Sequence, residues 1–442
     1  MTAAFEAAID TDATADRRRV APWVILVVVA IGVAEAVLLI AWQRDAYVNF
    51  SDGVYALSAR EFLHGVMPYR DFAAAQPPPV FLVGAVLLAV SNTVGSLHVG
   101  LGLVDLLTAW LVGFCVWRID GRVWPAALAL VLAPLVPITL NGHAQLLPET
   151  IAAPLLLGGA IVCSREPRQL AGGVLLALAV WCKLAFVIPA IAVAVLAPAP
   201  RRVLASLLGA SVVLFGGSLL VFGAGLWRES VIAQFQVGEP SLHYVAGLLA
   251  QAAWSELPLV IGLVAFWILA RRQHIQIRDP ALARTVTAAA IGGLALALTV
   301  VKLGSYINVL IVADPALVVL ATCAAAAAWG AGARARAATS VVAVLLAAQT
   351  ISLLLHPSNP WLAVRPFAQS GLAWTETPSQ VNQAVAAAKR CPLRLAYAGD
   401  PYIAFLASRR MPGLQPDLFM LAHATEDAPF ARRAAHDTPD CP

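Results

Sequence analysis

Residues 49–79 read NFSDGVYALSAREFLHGVMPYRDFAAAQPPP and separate two strongly apolar parts of the chain. Four apolar side chains in this stretch recur with the spacing of one helical face: Tyr55, Ala59, Phe62 and Leu63. The pattern predicts a helix over 54–64, which Gly65 is suited to end. Asp52 stands just before that helix, where aspartate is a favoured N-cap. We expect an amphipathic helix on the outer membrane surface with a carboxylate at its N-terminus.

The composition on either side of this stretch is that of a membrane protein. Of the 442 residues, 60% are hydrophobic and 12% are charged, whereas soluble globular proteins carry about 25% charged residues. Such a chain could not cover a water-facing surface, so a soluble enzyme is excluded. The apolar residues lie in long blocks, which also excludes disordered, collagen-like and disulfide-dense secreted chains.

Apolar runs long enough to cross a bilayer, which takes about 20 residues, fill most of residues 1–355. The run 21–42 follows three arginines and is too long for a signal-peptide core, so we expect a retained helix with a cytoplasmic N-terminus. The other runs lie at 97–117, 123–140, 149–163, 203–223, 250–270, 285–303, 307–329 and 338–355.

Two stretches are ambiguous in length, and the distribution of arginine decides between the alternatives. We interpret 80–90 as an interfacial or re-entrant helix, and 170–198 as a two-helix hairpin. Most arginines of the region then face the cytoplasm, as the positive-inside rule requires. The result is an all-α polytopic membrane protein with about 11 transmembrane helices, located in the cell membrane with its C-terminus outside.

Two segments are too polar to be embedded, and both face outward in this topology: the first loop, 43–96, and the C-terminal tail, 356–442. The tail is predicted to be a small α/β domain, with a strand at 393–397 and a helix at 402–408. It holds two of the six cysteines, Cys391 and Cys441. Because disulfides form on the outer side, we predict a bridge between these two, with unpaired thiols as the alternative.

The order of motifs in the first loop resembles that of the GT-C glycosyltransferases. DGVY (52–55) precedes the helix, GVMPYRD (65–71) follows it, and prolines then lead into a short apolar helix. Within the superfamily, the order is most similar to the protein O-mannosyltransferases and bacterial lipid A aminoarabinose transferases. The tail stretch 400–412 also resembles the C-terminal domains of this group.

This resemblance implies a membrane enzyme that takes a sugar from a polyprenyl-phosphate donor. The acceptor would be a hydroxyl of a glycan, lipid or protein on the outer side, and the anomeric configuration would be inverted. Asp52 matches the position of the family's catalytic base. Many members carry Asp-Glu where this chain has Asp52-Gly53, so a second carboxylate must come from elsewhere, with Asp71 as a candidate.

Glycosyl transfer needs a base for the acceptor hydroxyl and cations for the departing phosphate. The candidate substrate-binding residues are Tyr55, Asp71, His143, Glu149, Lys183, Arg228, Lys302 and Tyr306. Five of them have a structural alternative: a turn for Asp71, a loop histidine at the interface for His143, a favourable helix N-terminus for Glu149, and snorkelling to the interface for the two lysines. The acids within apolar runs, which are Glu35, Asp105 and Asp314, suit a site or hydrogen bonding between helices equally well.

The sequence contains no glycine-rich phosphate loop, zinc-type His-Glu-x-x-His motif or paired CxxC motif. Use of a nucleotide sugar is therefore unsupported, and no cofactor is firmly implied, although a divalent metal on Asp52 and Glu149 is compatible with the residues. The basic residues form no stripe with aromatics, which argues against a nucleic-acid partner.

Two other classes of function stay open at this point. A transporter or flippase for a lipid-linked saccharide would need polar residues and broken helices near the bilayer midplane. An envelope scaffold would use the tail as a binding module. A largest pocket beneath the first loop would favour the enzyme, and a central pocket would favour the transporter.

Overall fold

The computed structural model describes residues 30, 32–34, 37–38, 50–236, 240–272, 275–302, 307–355, 378–392, 396–397 and 399–417. Its α-helices are α1 Phe50–Leu63, α2 Pro79–Val90, α3 Val94–Asp120, α4 Val123–Leu132, α5 Pro137–Gly142, α6 Pro148–Cys163, α7 Gln169–Cys182, α8 Val187–Leu196, α9 Pro200–Phe222, α10 Ala224–Trp227, α11 Ala233–Gln236, α12 Leu242–Arg271, α13 Pro280–Leu294, α14 Asp314–Gly330, α15 Ala333–Leu355, α16 Pro378–Arg390 and α17 Pro401–Ala407. No β-strand occurs within these described ranges.

Four helices are long and apolar enough to cross a membrane: α3, α9, α12 and the segment Pro280–Thr299, which extends α13. Shorter apolar helices accompany them, among them α2, α6 and α14. The all-α membrane architecture is thus confirmed. The count of about 11 spans stays a prediction, since most of the run 21–42 lies outside the described residues.

Both ambiguous stretches form short helices. With 12 residues, α2 is about 18 Å long, shorter than the ~30 Å hydrocarbon core, in agreement with an interfacial or re-entrant segment. The stretch 170–198 divides into α7 and α8, as predicted. The chain is extended at Lys183, between α7 and a 3₁₀ turn at Leu184–Phe186, so the break presents that lysine at the ends of two helices.

The first-loop helix differs from the expectation in two respects. It begins at Phe50, so Asp52 lies in its first turn and is not an N-cap preceding the helix. It is also not an amphipathic helix with one free face, because α2 packs on one side and the tail helix α17 on another. Polar Ser58 and Arg60 are consequently buried along with the apolar residues. The periodicity of α1 could not reveal this, since the covering helix is more than 300 residues away in sequence.

The described part of the tail consists of α16 and α17 packed together. The predicted helix 402–408 is confirmed as α17, whose first turn is capped by Asp400 through the N–H groups of Tyr402 (2.7 Å) and Ile403 (3.4 Å). Most of the predicted strand 393–397 lies outside the described residues, so the α/β character of the tail stays a prediction.

The cysteines divide as the sequence suggests. Those in apolar runs are free and buried: Cys115, Cys163, Cys182 and Cys323. Cys391 is disulfide-bonded. Its predicted partner, Cys441, lies outside the described residues, and the pairing itself stays a prediction.

Candidate active site

Two carboxylates, one buried and one partly buried, hold the strap of residues 143–147 that joins α5 to α6. The Ala144 N–H donates to Asp105 Oδ2 and the Leu146 N–H donates to Asp52 Oδ1, both at 2.7 Å. Ala144 has a φ of 57°, a left-handed conformation that costs a residue with a side chain about 1–2 kcal/mol. The two hydrogen bonds hold that conformation and fasten α1 and α3 to the start of α6.

The second oxygen of Asp52 faces a histidine that the sequence did not single out. His98 Nε2, on α3, lies 3.4 Å from Asp52 Oδ2, and both side chains are almost fully buried. The His98 Nδ1 has no hydrogen-bond partner in the described part of the chain. His98 stands inside the apolar run 97–117, and an ionisable residue there is by itself a pointer to function. Asp52 and His98 form a pair that can hold and pass a proton.

Glu149 and Lys183 form an ion pair across 34 positions of sequence. Lys183 Nζ lies 2.6 Å from Glu149 Oε1; the glutamate side chain is 1% exposed and the lysine side chain 21%. The other glutamate oxygen, Oε2, has no hydrogen-bond partner among the described residues. Two predicted site residues are therefore brought together, three residues beyond the Leu146 contact to Asp52.

Lys302 adds a second ammonium group to this region. Its Nζ donates to the side-chain oxygen of Gln234, whose amide in turn donates to the Ala75 carbonyl of the first loop at 3.1 Å. Burial, and then the charge of Lys183, lowers the pKa of Lys302 to about 8. Two lysines thus lie within electrostatic reach of each other, and Glu149 is paired with only one of them.

Tyr55 follows Asp52 by one helical turn on α1 and lies within electrostatic reach of Glu149. Burial raises the pKa of Tyr55 well above its usual value, and the charges of Glu149 and Asp417 raise it further. The phenol therefore stays a neutral O–H donor. Asp417 belongs to the tail, which thus places a carboxylate beside residues of the first loop and α6.

No family model matches the chain, and no curated protein matches it in sequence. Solved structures do match it. The crystal structure of ArnT from Cupriavidus metallidurans bound to undecaprenyl phosphate superposes with a TM-score of 0.62 over 94% of this chain and 89% of that one, at 14% identity. Its apo state gives 0.61 over 93% and 89%, at 16% identity. The chain has the same fold as these two ArnT structures. The resemblance inferred from the first loop is confirmed for the fold, over nearly the full length.

Three other predicted site residues have local partners. Asp71 accepts from the Met67 N–H (2.8 Å) and pairs with Arg70 (2.9 Å), so it closes a turn, as the alternative interpretation held. Arg228 Nε donates to its neighbour Glu229 at 2.9 Å. His143 Nδ1 lies 3.0 Å from Asp105 Oδ2 in the interior. Substrate contacts by these residues stay predictions.

Two of the candidate residues, Tyr306 and Glu35, lie outside the described residues. Asp314, by contrast, accepts a hydrogen bond from the Thr139 hydroxyl at 2.6 Å, as hydrogen bonding between helices would require. No group of three or more potential metal ligands is present in the ranges that the structure covers. Asp52 and Glu149 are instead engaged by Leu146 and Lys183.

An apolar groove of about 920 Å³ lies between α4, α12, α14 and α15. Its walls are almost entirely apolar, with Arg122 and a few threonines as the polar exceptions. Such walls offer little to a saccharide, which needs convergent polar groups, so this groove favours neither a sugar-binding site nor a saccharide transporter.

Proposed function

We propose that this protein is an integral membrane glycosyltransferase that moves a sugar from a polyprenyl-phosphate donor to an acceptor hydroxyl outside the cell membrane. One observation carries the proposal, in a fold shared with ArnT. Asp52 of the first loop is bonded to Leu146 just before the helix whose Glu149 pairs with Lys183, and Lys302 is linked to the same loop through Gln234. The related fold of ArnT was solved with undecaprenyl phosphate bound, which supports the same class of donor here. The proposed orientation puts the first loop and the tail outside.

In the proposed reaction, the acceptor oxygen attacks the anomeric carbon while the bond from that carbon to the phosphate oxygen breaks. The phosphate leaves with the electron pair, and Lys183 and Lys302 neutralise its charge. Asp52 accepts the proton of the acceptor hydroxyl, with its carboxylate oriented by the Leu146 N–H and by His98. Tyr55 donates its O–H to the donor. The acceptor is a glycan, a lipid or a protein.

Purified protein in lipid nanodiscs tests the reaction directly. It is incubated with polyprenyl-phosphate-linked hexoses and pentoses and with a membrane glycolipid extract, and the acceptors are analysed by mass spectrometry. We expect one acceptor class to gain the mass of a single sugar, with release of an equal amount of polyprenyl phosphate. Failure to bind or consume any polyprenyl-phosphate sugar would contradict the proposal.

The dependence of donor use on pH tests Lys302. Its pKa of about 8 means that the ammonium is charged below that pH and neutral above it. If it binds the phosphate, kcat/KM for the donor falls as pH rises through about 8, by up to about tenfold per pH unit. Lys302→Arg keeps its charge throughout this range and should show no such fall. An identical fall in both proteins would assign the titration to another group.

A further inference from the structure

The tail lies directly on Gly53, the residue that follows Asp52. A Cβ added at Gly53 would lie 2.5 Å from the backbone nitrogen of Tyr402 and 2.8 Å from its Cα. These are main-chain atoms of α17, so no side-chain rotation can relieve the contact. The φ of Gly53 is not positive. Position 53 requires glycine because the Tyr402 backbone lies so close, and not because of the backbone conformation of α1.

Arg60 holds the same helix two turns further along α1. Its guanidinium donates to the carbonyls of Phe405 (3.0 Å) and Arg409 (2.9 Å) and lies 5.2 Å from the centre of the Phe405 ring. The side chain is 92% buried, and this burial lowers its pKa. A buried guanidinium that donates to two main-chain carbonyls has a fixed geometry, so it leaves the tail little freedom to move relative to α1.

A third contact lies beyond α1. The buried side chain of Gln415 accepts a hydrogen bond from the Ala73 N–H at 2.9 Å. The tail therefore touches the first loop at Gly53, Arg60 and Ala73, and Asp417 places its charge near Tyr55. These contacts are spread along the whole loop helix and the turn after it, so the tail is seated on the loop as a unit.

We propose that residues 400–417 form a wall of the catalytic site, and that Gly53 and Arg60 are positioning residues that seat this wall beside Asp52. The inference rests on the proposed function. It also explains why this chain departs from Asp-Glu at 52–53: a side chain at 53 would occupy the place of the Tyr402 backbone. The wall limits the access of water to Asp52, which is 5% exposed, and fixes the angle of α1.

Gly53→Ala and Gly216→Ala form a matched pair that tests the wall. Alanine is a better helix former than glycine, so a loss at position 53 must come from contact with the tail. Gly216 lies in α9, and an added Cβ meets nothing within 4 Å. We expect Gly53→Ala to lower kcat about 10- to 100-fold with an unchanged KM for the donor, whose lysines lie on other elements. Gly216→Ala should have the wild-type kcat.

Arg60→Met provides the second test, with Arg70→Met as its control in the same loop. The Arg70 side chain is 67% exposed and pairs with the adjacent Asp71. We expect Arg60→Met to make the tail more sensitive to limited proteolysis and to lower kcat without changing KM for the donor, and Arg70→Met to do neither. If Gly53→Ala does not accumulate as folded protein, Arg60→Met and Arg70→Met still test whether the tail forms a wall of the site.

A wild-type kcat in Gly53→Ala would contradict the proposal that the tail forms a wall of the site. So would a wild-type kcat in Arg60→Met if its tail is sensitive to protease. Failure of the proposed function looks different, because the wild-type protein itself would then transfer no sugar. If the wild type is active and both variants are equally active, only the role of the tail is wrong.

Discussion

Replacing Asp52 with asparagine is expected to lower sugar transfer by about 10²–10⁴-fold, the usual contribution of a general base, while the protein stays folded. Asparagine keeps the size of the side chain and the oxygen that accepts the Leu146 N–H. It loses the negative charge and the ability to take a proton. The strap of residues 143–147 should therefore stay in place, and the defect should lie in kcat.

The measurement is the initial rate of transfer at saturating donor, together with the thermal unfolding temperature of each variant. Asp120→Asn is the control, because that carboxylate lies at the far end of α3 and binds the side chain of Arg122. It should transfer sugar at the wild-type rate. Normal transfer by folded Asp52→Asn would remove Asp52 from the chemistry and leave it only the task of holding the strap.

The second large effect is expected from Lys183→Met, which removes one partner of the ion pair with Glu149. Truncating one side of a buried pair costs about 3–5 kcal/mol, because the remaining charge is left without compensation. The lower part of that range applies, since the Lys183 side chain is 21% exposed and water screens the pair in part. We expect a lowered unfolding temperature and a strongly weakened affinity for the polyprenyl-phosphate donor.

A double variant separates stability from binding. In Lys183→Met/Glu149→Gln neither charge of the pair remains, so the unfolding temperature should recover while donor affinity does not. Lys389→Met, at an exposed position on α16, should change neither property. Full donor affinity in the double variant would show that the ion pair serves the fold alone and that Lys302 binds the phosphate without Lys183.

The residues of the proposed site differ in how visible they are in the sequence. Asp52 could be selected from the motifs around it, and Glu149 and Lys183 from their positions at the ends of apolar runs. Their pairing could not be selected, because nothing local links residues 34 positions apart. His98 carries no motif and lies within an apolar run. Its place in that run marks it as a candidate, and its 3.4 Å approach to Asp52 shows which residue it meets.

The tail shows the same division. Its helix at 401–407 follows from a proline, an aspartate cap and an apolar run, all of which are local signals. The packing of this helix against the first loop does not follow from these local signals. Gly53 in sequence suggests only a weak helix position, and Arg60 resembles a solvated residue on a polar face. Both are buried because α17 lies against them.

The sequence by itself determined that the protein is a helical membrane protein. The reason is that burial in lipid and the pairing of backbone hydrogen bonds within one helix depend on neighbouring residues alone. Only the tertiary structure decided which polar groups meet: Asp52 with His98, Glu149 with Lys183, and Gly53 and Arg60 with the tail. A buried polar group must find a partner wherever the packing provides one, and the packing of distant helices sets that partner.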